Sequence, residues 1–566
     1  MPTAAFFNSS QKIVQDFLSN VVAVDDNLFF ESPKSPVIDE SKDEFDEFDD
    51  IEKDDSGLGK VAIEVSPKIS MGNHPLDYQE LSVAFSEFGI NCCAFRPDIE
   101  RFNTIEVAAE QITKSARRAD ITILDWSMDD KFGASPGSLA KSSICKILQD
   151  DNNLNGRLRL IIIYTGEPTL QEITGEIHKA VAEIDATAFI ENKTVRFKKN
   201  SLEFCQITVI DKKDNAEKLR DEAIGLFTTL TAGLLSNATL SAIGELRDQT
   251  HHILHTFNNQ LDPAYLAHVI GLLSSPQVRE KSYEIAFDYA TDLISEEIKS
   301  SLQISNVIKD NLNLRRLHDW VEYTNPRKND NFYEIKIGES QEVGLGSARL
   351  KELLDYKSDD QLVLTLTTHP AMMKKEAKTL ENFSRRKINL KLREVDYLSH
   401  EALSAIECKR RDLLSLKLHS HLPTIKQGSI VQKGEDYYIC MQPLCDSVRI
   451  ECSTNFIFLK IAVAETGKKF THVLRDSEGS FVKFCIKPGS KDIQSFKLLP
   501  DNTTNSAKAV YEDSQYRVKY LNDEGQEDYL IWFGELKSNV AQAIANQLAE
   551  QISRVGLDTN EWLRRH

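Results

Sequence analysis

Residues 120–126 read DITILDW, an apolar β-type run closed by an acid at Asp125. A run without polar alternation predicts a strand buried on both faces, as in a parallel sheet. The same grammar recurs on either side. NVVAVDDN (20–27) ends in Asp25 and Asp26, LRLIIIYTG (158–166) ends in Thr165, and QITVIDKK (206–213) ends in Lys212 and Lys213. NCCAF (91–95) is a fifth, shorter run.

Helical stripes separate these runs. Tyr78, Leu81, Phe85 and Phe88 form one, stopped at Gly89, and Ile105, Ala108, Ala109, Ile112 and Ala116 form the next. Ala140, Ile144, Ile147 and Leu148 follow the third strand, Leu170, Ile173, Ile177 and Val181 the fourth, and Leu219, Ala223, Phe227 and Leu230 the fifth. TAFIENKTVRFKKN (187–200) reads as a small hairpin between the last two strands. Strands alternating with helices predict a doubly wound, five-stranded parallel α/β sheet covered on both faces. Function in such a sheet gathers at the carboxyl ends of the strands.

Those ends carry complementary chemistry. Carboxylates at 25, 26 and 125 meeting at one edge would repel one another unless a divalent cation neutralised them, and Mg²⁺ favours one or two carboxylates together with water and phosphate oxygens. Asp125 is then a candidate nucleophile toward a phosphoryl donor, with a lysine ammonium offsetting charge on the transferred group and Thr165 able to hydrogen-bond it. Between Lys212 and Lys213 the spacing alone does not choose; Lys212 is preferred.

VVAVDDN, ITILDW, IIIYTG and ITVIDKK stand in the order in which bacterial two-component response regulators carry the functional elements of their receiver domains. About 240 residues at the N-terminus resemble that flavodoxin-like domain. The resemblance implies that Asp25, Asp26 and Asp125 hold Mg²⁺, that Asp125 is the phosphoacceptor, that Thr165 is the switch, and that Lys212 contacts the phosphate. It implies a histidine-kinase-like or phosphotransfer partner upstream and a protein effector downstream. Ordinary receivers pass directly from the acidic pair into a helix, whereas residues 27–77 intervene here. In that respect the chain resembles the divergent response receiver family of large bacterial proteins, some encoded beside ATPases of the histidine-kinase and Hsp90 type and associated with phage defence.

The insertion contains the sharpest change of composition. Residues 39–55 hold eleven acids against Lys42 and Lys53, so −9 of the chain's −19 formal charge lies there. Self-repulsion and few apolar side chains predict a solvated loop. At 566 residues, 41% hydrophobic and 27% charged, the chain as a whole has a globular composition and room for about three or four domains. Its acidity disfavours nucleic acid. Nine scattered cysteines read as reduced thiols of a cytoplasmic protein; Cys440, Cys445 and Cys452 lack zinc-knuckle spacing and read as packed strand residues. No run approaches the ~20 apolar residues of a membrane span, and no secretory signal opens the chain.

Boundaries are expected near 235, 330 and 415: a receiver-like domain (1–235) with the acidic insert near 31–60, a helical bundle or dimerisation stalk (236–330), a mixed connector (331–415) and a β-rich α+β domain with a terminal helix (416–566). The stalk reading rests on a stripe of Leu240, Ile243, Thr250, Ile253, Phe257 and Leu261, stopped by Asp262-Pro263. His251 and His255 lie opposite it, without an HExxH motif or a kinase ATP-binding motif, and read as a solvated or inter-helix face. Eleven basic residues between 374 and 411, including Arg385, Arg386, Lys387 and Lys409-Arg410-Arg411, face six acids with few aromatics for base stacking. From 420 onward short strands predict a small barrel or curved sheet, with Val540, Ile544, Leu548 and Ile552 of the last helix inward and Trp562 locking the tail. No nucleophile triad, P-loop or dinucleotide fingerprint supports a catalytic output. Two further readings stand beside the signalling one: an unphosphorylated receiver-shaped scaffold, and an effector with an enzymatic or nucleic-acid-binding C-terminal half.

Overall fold

The structure is a computed structural model. It describes residues 2–26, 28, 77–129, 132–198, 202–212, 215–276, 279, 282–337, 342–355, 358, 388–393, 399–417, 421–443, 446–447, 450, 452–465, 470–501 and 505–553. The acidic run 39–55, Lys213, Arg385, Arg386, Lys387, Cys445 and Trp562 lie outside the described residues. The chain divides into two compact units, residues 1–248 with 305–324, and residues 249–304 with 325–566.

In the first unit, β1 (Asn20–Val24), β2 (Asn91–Phe95), β3 (Ile121–Asp125), β4 (Arg159–Thr165), β5 (Phe189–Glu191), β6 (Thr194–Arg196) and β7 (Cys205–Asp211) form one sheet in the order β2-β1-β3-β4-β7-β6-β5. β1, β2, β3, β4 and β7 pair in parallel. The expected five-stranded sheet is therefore corrected to seven strands. The hairpin read at 187–200 supplies the difference, because β6 pairs antiparallel with β7 and extends its edge.

Successive side chains on a strand point to opposite faces, and β4 illustrates how both faces are buried. Ile161 and Ile163 enter one core, while Leu160, Ile162 and Tyr164 enter the other. The first core is roofed by α4 (Ile105–Ala116), α5 (Ser138–Asn153) and α6 (Leu170–Ala182). The second is roofed by α1 (Pro2–Phe17), α2 (Tyr78–Ser86) and α7 (Ala216–Thr231). The short α3 (Ile99–Phe102) precedes α4. Asp77, Thr104 and Asn215 cap α2, α4 and α7 by accepting backbone N–H groups of the first turn.

α8 (Leu234–Asp248) belongs to this unit, and so do α12 (Asn306–Asn311) and α13 (Leu314–Thr324), which return to it after α9 (Thr250–Thr256), α10 (Asp262–Ser274) and α11 (Ser282–Ile304). Tyr323 of α13 packs on Phe6 of α1, ring centroids 5.2 Å apart, and Asn311 donates to Ser241 of α8 at 2.7 Å. The single stripe expected through Leu240 and Leu261 is thus broken: α8 ends at Asp248 and α9 begins at Thr250. Asp262-Pro263 starts α10 instead of only stopping its predecessor, since a proline at the first turn forfeits no intrahelical hydrogen bond.

The second unit contains a three-stranded sheet of β8 (Tyr333–Ile337), β9 (Val343–Leu345) and β10 (Ile388–Leu392), with α14 (Ser347–Leu354) following β9. Its main feature is built from β11 (Lys409–Asp412), β12 (Ser429–Lys433), β13 (Asp436–Cys440), β14 (Thr454–Val463), β15 (His472–Arg475), β16 (Phe481–Cys485), β17 (Ile493–Leu498), β18 (Val510–Glu512), β19 (Gln515–Leu521) and β20 (Glu527–Leu536). Pairings run β20-β12-β13-β14-β17-β19 and close because β19 also pairs with β20. The result is a six-stranded antiparallel barrel. Phe456, Phe458, Phe496, Tyr520 and Trp532 fill one core, and Cys440 is buried with them. Ile439, Leu459, Phe484 and Phe533 form a second core with α17 (Ser538–Ser553) through Ala541, Ile544 and Leu548. Ile552, expected inward, is exposed. α15 (Ser399–Cys408) and α16 (Leu413–Lys417) flank β11.

Candidate functional site

The order β2-β1-β3-β4-β7 reverses direction between β1 and β3, and a crevice opens at the carboxyl ends of strands on either side of such a switch point. Val24 pairs with Leu124, so Asp25 and Asp26, immediately after β1, stand beside Asp125 at the end of β3. Facing carboxylate oxygens of all three lie within 4.8 Å of one another. All three residues are buried, Asp25 and Asp26 to within 3% exposure.

Lys212 enters this cluster from the end of β7. Its Nζ is 2.7 Å from Asp25 Oδ2 and 3.0 Å from Asp125 Oδ1. The backbone holds the lysine there, since Lys212 N–H donates to the carbonyl of Thr165 at 2.8 Å. Thr165 is fully buried at the end of β4, and its hydroxyl accepts the Glu167 N–H at 3.2 Å. Of the residues singled out by sequence, the structure therefore gathers Asp25, Asp26, Asp125 and Lys212 and sets Thr165 on the strand end between Asp125 and Lys212. His251 and His255 lie exposed on α9 of the second unit.

Electrostatically the cluster is unbalanced. Burial, assisted by Asp25 and Asp26 and opposed by Lys212, raises the Asp125 pKa from 3.8 to about 6. Burial works against the Lys212 ammonium, but Asp125 and Asp25 beside it hold its pKa above the usual lysine value. Among the described residues, three carboxylates meet one ammonium, an excess of two negative charges when all are ionised. That excess, presented by hard oxygen ligands, fits one divalent cation such as Mg²⁺.

Features around Asp125 that sequence reading missed concern the loop behind it. Trp126 N–H donates to Asp125 Oδ1 at 2.8 Å, so both this bond and the Lys212 contact fall on the same carboxylate oxygen. Asp129 anchors the start of α5 by accepting Ser138 and Leu139 N–H groups at 3.1 and 2.6 Å. Gly137 takes φ +80° with the Trp126 ring where a Cβ would project. The signal for this arrangement was the pair of glycines at 133 and 137 following the strand, both at positive φ.

With this geometry in view, comparison with known families is decisive for one segment. Residues 17–217 match the response receiver domain. The match spans the sheet, the acidic crevice and the start of α7. No curated protein and no solved structure matches the chain. Receiver domains serve phosphoacceptor signalling and generally bind Mg²⁺ at an acidic pocket; the matched segment carries a buried cluster of three aspartates. No helix among the described residues is long and apolar enough to cross a membrane.

Proposed function

We infer that the receiver accepts a phosphoryl group on Asp125 and that this modification governs contacts of the remaining chain with a protein effector. The observation carrying the reading is the convergence of Lys212 and the acids at 25 and 26 on Asp125. Asp125 Oδ1 is engaged by Trp126 N–H and Lys212, leaving Oδ2 to attack phosphorus. A bond forms between Oδ2 and phosphorus as the P–N bond of a phosphohistidine, or the P–O bond of acetyl phosphate, breaks and its electron pair leaves with the donor. Lys212 offsets charge on the transferred group, and rotation of the Thr165 hydroxyl away from Glu167 N–H would allow it to donate to a phosphoryl oxygen. Asp25, Asp26 and Asp125 are the residues that would hold Mg²⁺, which when bound supplies charge neutralisation at the phosphoryl oxygens. A histidine-kinase-like or phosphotransfer protein is the inferred donor. A setting in bacterial stress or phage-defence signalling rests on the resemblance alone.

A homodimer is the inferred assembly. α10 and α11 pair with each other through Tyr265 and Ala286 and through the His268 and Tyr289 rings, yet Leu266, Ile270, Tyr283, Phe287 and Leu293 remain exposed. A two-helix hairpin needs another layer to cover such a face, and an antiparallel pair meeting its own copy forms a four-helix bundle.

Incubation of the full chain with acetyl phosphate and Mg²⁺, followed by intact-mass measurement, tests the phosphoacceptor reading. One acid-labile phosphoryl adduct is expected, absent from Asp125→Asn. Absence of the adduct both with acetyl phosphate and with a cognate kinase rejects it in favour of an unphosphorylated scaffold.

A further inference from the structure

At the amino ends of the strands, away from Asp125, the first unit contains a pocket of about 480 Å³. It lies where the residues preceding β3 and β4 meet α1, α7 and α8. Phe17, Leu158, Phe227, Leu230 and Leu240 supply apolar wall, and Phe204 and Ile243 line it while remaining 53% and 40% exposed. The volume falls within the ~300–1,000 Å³ of small-molecule sites. An apolar chamber offers few partners to ordered water, so filling it with an apolar ligand is favourable.

The charged groups on its wall are not equivalent. Asp120 is already satisfied: it accepts N–H groups of Ser19 and Asn20 and pairs with Arg247 at 3.1 Å. Arg247 also donates to Phe17 O and Ser19 Oγ. Arg157 differs. Its guanidinium donates to the carbonyls of Arg117 and Ala119, and among the described residues no carboxylate lies within ion-pair distance of it. Both Asp151 oxygens are hydrogen-bonded by the neighbouring Arg159 at 2.7 and 2.8 Å, so Asp151, like Asp120 and Asp150, acts on Arg157 through space without a direct contact. Arg157 is half-buried, and burial first, then the positive charge of Arg159, lowers its pKa. Among the described residues Arg157 is thus a cation without a direct ion pair, on a largely apolar wall that also carries the Asp120–Arg247 pair.

We propose that this pocket binds a small amphiphile with an apolar body and a single anionic head group, the body against Phe17, Phe227 and Leu240 and the head on Arg157. A carboxylate and a phosphate monoester share the required head-group chemistry, and the planar guanidinium suits either by a two-pronged hydrogen bond. Because α7 and α8 form part of the wall, occupancy bears on the helices leading out of the receiver. The proposal is independent of phosphorylation at Asp125.

Calorimetric titration of the full chain with decanoate, decyl phosphate, decanol and decyltrimethylammonium tests it. Saturable one-site binding of decanoate or decyl phosphate is expected, the tighter of the two naming the head group, with decanol at least about tenfold weaker and the cation not bound. Arg157→Gln should weaken the anionic ligand about tenfold, and Leu230→Trp should fill the chamber and remove binding, each in a variant whose far-ultraviolet circular dichroism matches the parent. Absence of binding by both anionic ligands, equal binding of decanol, or unchanged affinity in Arg157→Gln overturns the proposal. The comparison among ligands on the unaltered protein retains that power if either variant misfolds.

Discussion

Lys212 donates a 2.7 Å hydrogen bond to Asp25 Oδ2, joining strand ends that 187 residues separate in the chain. Its ammonium lies against two of three neighbouring buried carboxylates, Asp25 and Asp125, and the Asp25 pair is at most 5% exposed on either side. Removing one member of a buried pair leaves its partner desolvated without compensation. Lys212→Ala should therefore lower unfolding free energy by about 3 kcal/mol in EDTA. Mg²⁺ should restore more stability to this variant than to the parent, because the three carboxylates then lack the Lys212 ammonium. Denaturant unfolding with and without Mg²⁺ measures both effects; equal stabilisation of the two proteins counts against cation binding at the cluster.

The raised Asp125 pKa predicts a pH dependence of definite sign. A carboxyl with a pKa of about 6 folded and near 3.8 unfolded holds its proton more tightly in the native state. Its contribution to stability is full below the unfolded value and is lost as pH rises through the folded one. In metal-free buffer Asp125→Asn should therefore stabilise the protein at pH 7.5 relative to the parent, with the advantage shrinking by about 2 kcal/mol as pH falls to 4.5. Paired thermal or urea unfolding at the two pH values gives the difference, and an advantage that grows toward low pH would contradict the assignment.

At the other end of β4, Arg159 and Asp151 form a two-pronged pair, each 1% exposed, with a third bond from the guanidinium to the Ala116 carbonyl. Asp151→Ala strands that guanidinium. A loss of about 3–5 kcal/mol follows, readable as a shift in urea midpoint at constant slope. Arg117→Ala, which breaks an exposed pair with Asp150, should cost less than about 1 kcal/mol and serves as the control.

The apolar face of α10 and α11 predicts an association that charge abolishes. Light scattering of the full chain should give a dimer mass, and Leu266→Asp with Phe287→Asp should give a monomer with unchanged helicity, since both side chains are more than half exposed in the single chain. A monomeric parent protein would refute the dimer reading.

The strand ends were legible because a parallel sheet writes each strand as an apolar run and its functional edge as the first polar residues after it. That rule isolates 25, 26, 125, 165 and the pair 212 and 213 without any knowledge of pairing. Other parts were not legible for equally physical reasons. Barrel closure depends on β19 pairing with β20 while β20 also pairs with β12, a long-range choice that alternating polarity in each strand leaves open. Leu314–Thr324 is plainly amphipathic, but which surface receives its apolar side is a tertiary fact. The break at Gln249 interrupts a stripe whose periodicity runs on past it. Arg157 carries no signal of its own in the sequence, and only the folded walls around it reveal that its charge borders a largely apolar space.

The return of residues 305–324 to the first unit separates the order of synthesis from the order of assembly. When a ribosome has released the whole matched receiver segment, α1 still lacks Tyr323 against Phe6, and Ser241 still lacks Asn311. The helices 249–304 must emerge before that surface can be sealed. A gene fragment stopped at 248 would therefore yield a receiver with one wall missing, whereas joining 305–324 to residue 248 through a short linker would give the excised unit its complete set of packing partners.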